Sequence, residues 1–254
     1  MMAKHLCGDN ISDSWLKAVH YLLGQNNHES FNLLVEITNP LEEDENIKED
    51  LDSGLSRKRL QRIETVANTL FPYELYNNSN NGEAFFKAYK RMAPRLRRAN
   101  TKNGHGIYFE RLVKWPGSNG NPINQIDNII KRLIQQISSP NPLRVVYEAL
   151  ISHPQLDATV YTPGLDNNYG FPCLSFLSFK LEGDRLNLTA IYRNHYFFER
   201  AYGNYLGLAR LLNFVCEEVG CPIGNLCVLS THAQLETGTI SIIRNMIQKY
   251  PECL

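Results

Sequence analysis

CLSFLSFKLEGDRLNLTAIYRNHY, residues 173–196, is the stretch whose reading decides the fold. Apolar and polar residues alternate over part of Cys173–Leu181, and Arg185–Tyr192 is a second short run of strand-forming residues. Only Glu182, Gly183 and Asp184 separate the two, so they read as a β-hairpin. Downstream, Tyr202–Val219 (YGNYLGLARLLNFVCEEV) is long and largely apolar and reads as a buried helix. A Gly/Cys/Pro turn leads into a further strand, Asn225–Ser230. Helices packed on a mostly antiparallel or mixed sheet, an α+β architecture, is the class this order predicts.

The rest of the chain supplies the covering layers. Residues 12–24 carry Trp15, Leu16, Val19, Leu22 and Leu23 at helical spacing and are followed by the strand Phe31–Thr38. The acidic stretch Glu42–Asp52 has almost no apolar residues and is expected to be a solvated loop. Basic amphipathic helices are predicted over 56–70, ended by Pro72, and over 83–96, broken near Pro94. The cluster Lys90, Arg91, Arg95, Arg97, Arg98 and Lys102 reads as a solvated helix face, because no aromatic residues alternate with it as a base-stacking platform would require. Residues 127–137 form an amphipathic helix and 143–149 a strand.

With 254 residues and 43% hydrophobic content, one domain spanning 1–254 is expected. Lysine plus arginine equals aspartate plus glutamate at 26 each, so no global field argues for a nucleic-acid or membrane partner. The six cysteines form no CxxC pair and no zinc-finger array, which suggests reduced thiols, no metal and a cytoplasmic setting. No apolar run approaches the ~18 residues of a membrane span.

The chemistry-bearing residues are Phe171-Pro172-Cys173, Tyr192-Arg193-Asn194-His195, Asn204 and Thr231-His232. Arg193 lies 20 residues after Cys173 (193 − 173) and Asn204 lies 31 after it (204 − 173). This order resembles the thymidylate synthase and deoxycytidylate hydroxymethylase family, in its divergent archaeal-type branch. There a Pro-Cys pair precedes a hairpin, a strand ends in an arginine, an asparagine opens a long helix, and a last strand ends in a histidine. Upstream, GIYFERLVKWPG (106–117), NQIDNIIKRL (124–133) and SSPNPLR (138–144) are similar to further family segments. The resemblance covers about residues 100–236, with 1–99 divergent.

The resemblance implies a single thymidylate synthase-like domain acting on a pyrimidine nucleoside monophosphate, with 5,10-methylene-tetrahydrofolate as one-carbon donor. Cys173 is the implied nucleophile: a thiolate on C6 of the ring makes C5 a carbon nucleophile. Arg193 would favour the thiolate and hold phosphate through its rigid fork of donors. Asn204 offers one donor and one acceptor to the O4 and N3–H edge of uracil. His232 would bind the sugar hydroxyl and Tyr108 would line the ring pocket. Arg144 would reach across a homodimer to the partner's phosphate, and Glu64 is the sole candidate for the catalytic glutamate.

Several positions depart from the pattern. Leu143 replaces the first of two paired arginines, Tyr196 the aspartate that holds the folate pterin, and Gln234 the tyrosine beside the sugar histidine. Only 18 residues follow Glu236, short for the segment that closes over folate. The sequence therefore leaves three readings open: an active C5 methyl- or hydroxymethyltransferase, a homologue without turnover that binds a nucleotide as sensor or subunit, and an unrelated structural protein.

Overall fold

The computed structural model describes residues 3–99, 107–117, 119–153, 157 and 172–253; Lys102, Gly106 and Phe171 of the sequence reading lie outside them. One mixed sheet is built from β1 (Lys4–Gly8), β2 (Glu29–Ile37), β3 (Glu148–Leu150), β4 (Leu174–Glu182), β5 (Arg185–Tyr192), β6 (His195–Tyr196) and β7 (Ile223–Gln234). Its order is β1-β2-β7-β5-β4-β3, with β6 added beside the end of β7. The expected hairpin is β4 and β5, turned at Gly183, whose φ of +61° suits a residue without Cβ. β5 runs parallel to β7, so a helix must carry the chain between them.

That helix is α8 below, and the strand period explains what it covers. Leu177, Phe179 and Leu181 of β4, Leu186, Leu188 and Ala190 of β5, and Leu226 and Val228 of β7 are buried at alternate positions. On the other face Leu34, Phe176, Ile191, Cys227 and Leu229 remain only partly covered.

The helices, in chain order, are α1 (Ile11–Leu23), α2 (Glu45–Arg57), α3 (Ile63–Leu70), α4 (Tyr73–Asn77), α5 (Gly82–Ala99), α6 (Tyr108–Val113), α7 (Gln125–Gln136), α8 (Tyr202–Val219) and α9 (Ile240–Lys249). α8 is the central one, and α3 lies directly against it. Gly203 and Gly207 permit that approach: a Cβ on Gly207 would stand 2.7 Å from both the Ala67 carbonyl oxygen and Leu70 Cβ. Gly220, at φ +77°, ends α8 and donates its N–H to the Cys216 carbonyl (2.8 Å). Among the described residues no helix is long and apolar enough to cross a membrane.

Four sequence expectations are corrected. The acidic stretch 42–52 is not a loop from Glu45 onward. Asp44 caps α2 by accepting the Asn46 and Ile47 N–H groups, and Ile47, Leu51 and Leu55 bury one face. The single helix over 56–70 is two helices, because Arg59 at φ +57° breaks the helix and Asp52 takes the Ile63 N–H (2.8 Å) to start α3. Pro94 does not break α5; Phe85, Phe86, Tyr89 and Ala93 are buried along it, and that burial offsets a proline cost of about 3 kcal/mol. The strand over 143–149 shrinks to Glu148–Leu150. β1 and α9 were not anticipated at all.

Candidate functional site

Strand register brings the chemistry-bearing residues to one end of the sheet. Leu174 pairs with Tyr192, and Tyr192 with Ser230, so Cys173, Arg193 and Thr231 each lie one residue beyond a shared row. The Arg193 N–H donates to the Cys173 carbonyl (3.0 Å), and its guanidinium favours the ionised form of the Cys173 side chain. The thiol is half-buried. Burial pushes its pKa up, while the positive charge of Arg193, and then of Arg200, acts in the opposite direction.

Tyr108, at the start of α6, reaches the same place. Burial raises its pKa to about 12, with the Cys173 side chain adding to the rise and the Leu174 and Cys173 backbone N–H groups opposing it, so it is a neutral phenol. Arg200 was not singled out in the sequence. It sits in a single helical turn, Phe197–Ala201, and its guanidinium is held by Gln61 Oε1 (2.5 Å) and Glu199 (2.7 Å) while its charge acts on both Cys173 and Tyr108. An arginine within the aromatic-rich FFERAY run was the available signal.

Behind the thiol lies a buried polar cluster. Asn204 on α8 is 3% exposed, and its Nδ2 is 3.0 Å from His195 Nε2. His195 Nδ1 is in turn 3.0 Å from Ser230 Oγ. The imidazole stacks flat on Tyr192, centroids 4.1 Å apart and planes 3° from parallel. Burial lowers the His195 pKa to about 3, so the ring is neutral near pH 7. Asn204 Oδ1, Tyr192 Oη and Tyr205 Oη are buried without a hydrogen-bond partner among the described residues. A neutral thiol-and-phenol rim backed by unpaired amide and phenol groups is suited to a planar, uncharged ring that brings its own hydrogen-bonding edge.

No family model matches the chain. It is 26% identical over 149 residues to a protein of Methanosarcina barkeri named "Putative thymidylate synthase", covering 59% of this chain and 61% of that one. A protein of Methanocaldococcus jannaschii with the same name is 29% identical over 150 residues, 58% of this chain and 61% of the relative. One from Methanothermobacter marburgensis is 22% identical over 245 residues, 92% and 93% of the two chains. The chain is similar to these archaeal proteins over the stretches matched. In the first two relatives the match spans about three-fifths of their own length.

Against a thymidylate synthase-like pattern, the remaining sequence-predicted residues are distributed as follows. His232 lies on β7 opposite Phe31, with Nδ1 2.6 Å from Asn194 Oδ1 and Nε2 3.1 Å from Glu29 Oε2, so protein groups already engage both ring nitrogens. Glu64 is paired with cations. Its carboxylate forms a two-pronged pair with Arg210 (2.7 and 2.9 Å), and Lys48 is 3.6 Å away. Burial would raise the Glu64 pKa, but these two cations hold it below the usual carboxylate range. Glu64 also lines an open groove of about 750 Å³ with Lys48, Asp52, Arg57 and Arg62, in which Cys173 takes no part. Arg144 is exposed ahead of β3.

The donor set does not fit a folate pterin in the manner the family implies. Tyr196 is 38% exposed and offers a phenol where a carboxylate would be needed to accept from the pterin ring. The segment after Glu236 is folded into α9, which packs against α1 and α2, and Lys249 Nζ and Tyr250 Oη both bond Asp50 (2.6 Å each). Among the described residues no group of three or more His, Cys, Asp or Glu side chains converges as a metal site.

Proposed function

We propose that this protein forms a covalent adduct between Cys173 and C6 of a uridine-type nucleoside monophosphate, as the first step of a thymidylate synthase-type C5 transfer. The observation that carries this reading is Arg193 bonded through its backbone N–H to the Cys173 carbonyl (3.0 Å), with a charge that favours the thiolate in a setting that otherwise opposes it. The sulfur lone pair forms the S–C6 bond, and the C5=C6 pair moves into an enolate that ends on O4. C5 then takes a proton or a one-carbon electrophile. Loss of the original C5 proton and expulsion of the thiolate restore the ring. Asn204 would meet the base edge, Tyr108 the ring and His232 the sugar, with Arg193 and a partner's Arg144 meeting phosphate.

No step here depends on folate; methyl versus hydroxymethyl transfer, and the one-carbon donor itself, are variables of the test. The partly covered sheet face carrying Phe176, Ile191 and Leu229 supports a homodimer through that face. A second reading, a nucleotide-binding homologue without turnover, is favoured by the engagement of His232 with Glu29 and Asn194 and by Tyr196 at the pterin position. Mass spectrometry after incubation with 5-fluoro-pyrimidine monophosphates, with and without methylene-tetrahydrofolate, separates the readings. An adduct on Cys173 supports the covalent step, product from the unfluorinated nucleotide supports turnover, and neither adduct nor binding removes both readings.

A further inference from the structure

Uracil presents an acceptor at O4 and a donor at N3–H; cytosine presents a donor at N4 and an acceptor at N3. A side-chain amide can pair with either base, in orientations that differ by exchanging its oxygen and nitrogen. Base choice at an asparagine is therefore a question of which way the amide is turned, and something must hold it there.

We propose that His195 is the positioning residue that fixes the Asn204 amide and thereby commits the site to a single pyrimidine edge, that of a uridine-type nucleotide. This rests on the reading that Asn204 meets the base. Neutral imidazole carries one N–H. With Asn204 Nδ2 donating to Nε2, the ring proton is on Nδ1 and is donated to Ser230 Oγ, which lies on β7 and is itself fully buried. The flat stack on Tyr192 holds the ring plane, so the Nε2 lone pair points in a fixed direction.

Turning the amide over would set Asn204 Oδ1 against that lone pair, acceptor on acceptor, unless the ring proton moved from Nδ1 to Nε2 and the Ser230 hydroxyl turned to donate to Nδ1; the Nδ1–H form of the ring is therefore what holds the amide. Held as it is, the amide retains one N–H on Nδ2 and the whole of Oδ1, which has no partner among the described residues. Those two groups in one order form a reader for one edge only. His195 follows Arg193 by two residues and is brought back to α8 by the short strand β6, so the residue that tunes the thiol and the one that sets the amide belong to one loop.

The test compares binding of uridine and cytidine monophosphates, in ribo and deoxyribo forms, to wild type, His195→Phe and Ser230→Ala. His195→Phe keeps a ring against Tyr192 but removes both nitrogens; Ser230→Ala is the milder change and leaves the ring proton unassigned. Wild type is expected to prefer the uridine nucleotide by about tenfold or more, the equivalent of one well-made buried hydrogen bond. His195→Phe is expected to bring the ratio to within about threefold, and Ser230→Ala to lower it by a smaller factor. Both variants losing affinity for the two nucleotides equally, at an unchanged ratio, would overturn the proposal. Binding of neither nucleotide by wild type would instead remove the underlying reading, and the proposal with it. Imidazole ¹⁵N shifts of wild-type protein give a readout independent of ligand and of variant folding: a neutral Nδ1–H form is expected for His195, and an Nε2–H form would refute the assignment.

Discussion

Arg193 acts on Cys173 in two ways: its backbone N–H donates to the Cys173 carbonyl (3.0 Å), and its positive charge favours the thiolate. The thiol lies at the N-terminal edge of β4 and the arginine at the C-terminal edge of β5, so the hairpin itself aligns nucleophile and cation. Burial raises the thiol pKa and Arg193 is the larger of the two opposing charges. Arg193→Met should therefore raise the pKa further, and the thiolate fraction near neutrality falls about tenfold for each unit. Alkylation of Cys173 by iodoacetamide, followed by peptide mass spectrometry, is expected to slow several-fold and to shift its pH midpoint upward. A rate unaffected by the substitution would separate the arginine from the thiol.

Glu64 and Arg210 join α3 to α8 at the surface of the helical layer. The Glu64 pKa is lowered in the folded state, so its contribution to stability is present above the unfolded carboxylate value and is lost as pH falls through the folded value. Glu64→Gln is expected to lower Tm by a few degrees at neutral pH and by less in acid, while Cys173 alkylation stays unchanged. A normal Tm with lost C5 chemistry would return Glu64 to the catalytic role that its sequence position suggested.

Gly207 is a packing requirement of the same helix pair. An added Cβ meets the Ala67 carbonyl at 2.7 Å, and backbone cannot yield as a flexible side chain would. Gly207→Ala is expected to cost about 1–3 kcal/mol in urea unfolding at unchanged m-value, despite alanine's better helix propensity. A more stable variant would show that α3 and α8 are not in the close contact described.

The hairpin and α8 were legible because their patterns are strong: alternate residues of β4 and β5 are buried, and most of α8 is apolar. α2 was not, because Ile47, Leu51 and Leu55 are scattered among six charged residues in 45–57. Their burial shows only once α9 and the Phe197–Ala201 turn supply a surface. In the site, the residues in register with Cys173 could be read from spacing, whereas the Asn204–His195–Ser230 chain depends on how α8 is turned against β7. Arg200 depends on Gln61, more than a hundred residues away. Neither relation leaves a local pattern.

The partly covered face of the sheet predicts self-association. Light scattering at micromolar concentration should give about twice the 29.1 kDa chain mass. Ile191→Glu, placed on β5 within that face, should return it to the monomer. A wild-type monomer would leave Arg144 with no partner site to reach.

Tritium release from 5-tritiated deoxyuridine or uridine monophosphate tests the central claim most directly, since exchange at C5 requires addition at C6 and no one-carbon donor. Wild-type protein is expected to release tritium to water without folate, Arg193→Met to do so at least tenfold more slowly, and Cys173→Ala not at all. Release that persists in Cys173→Ala, or none from a wild-type protein shown to bind the nucleotide, would contradict the account.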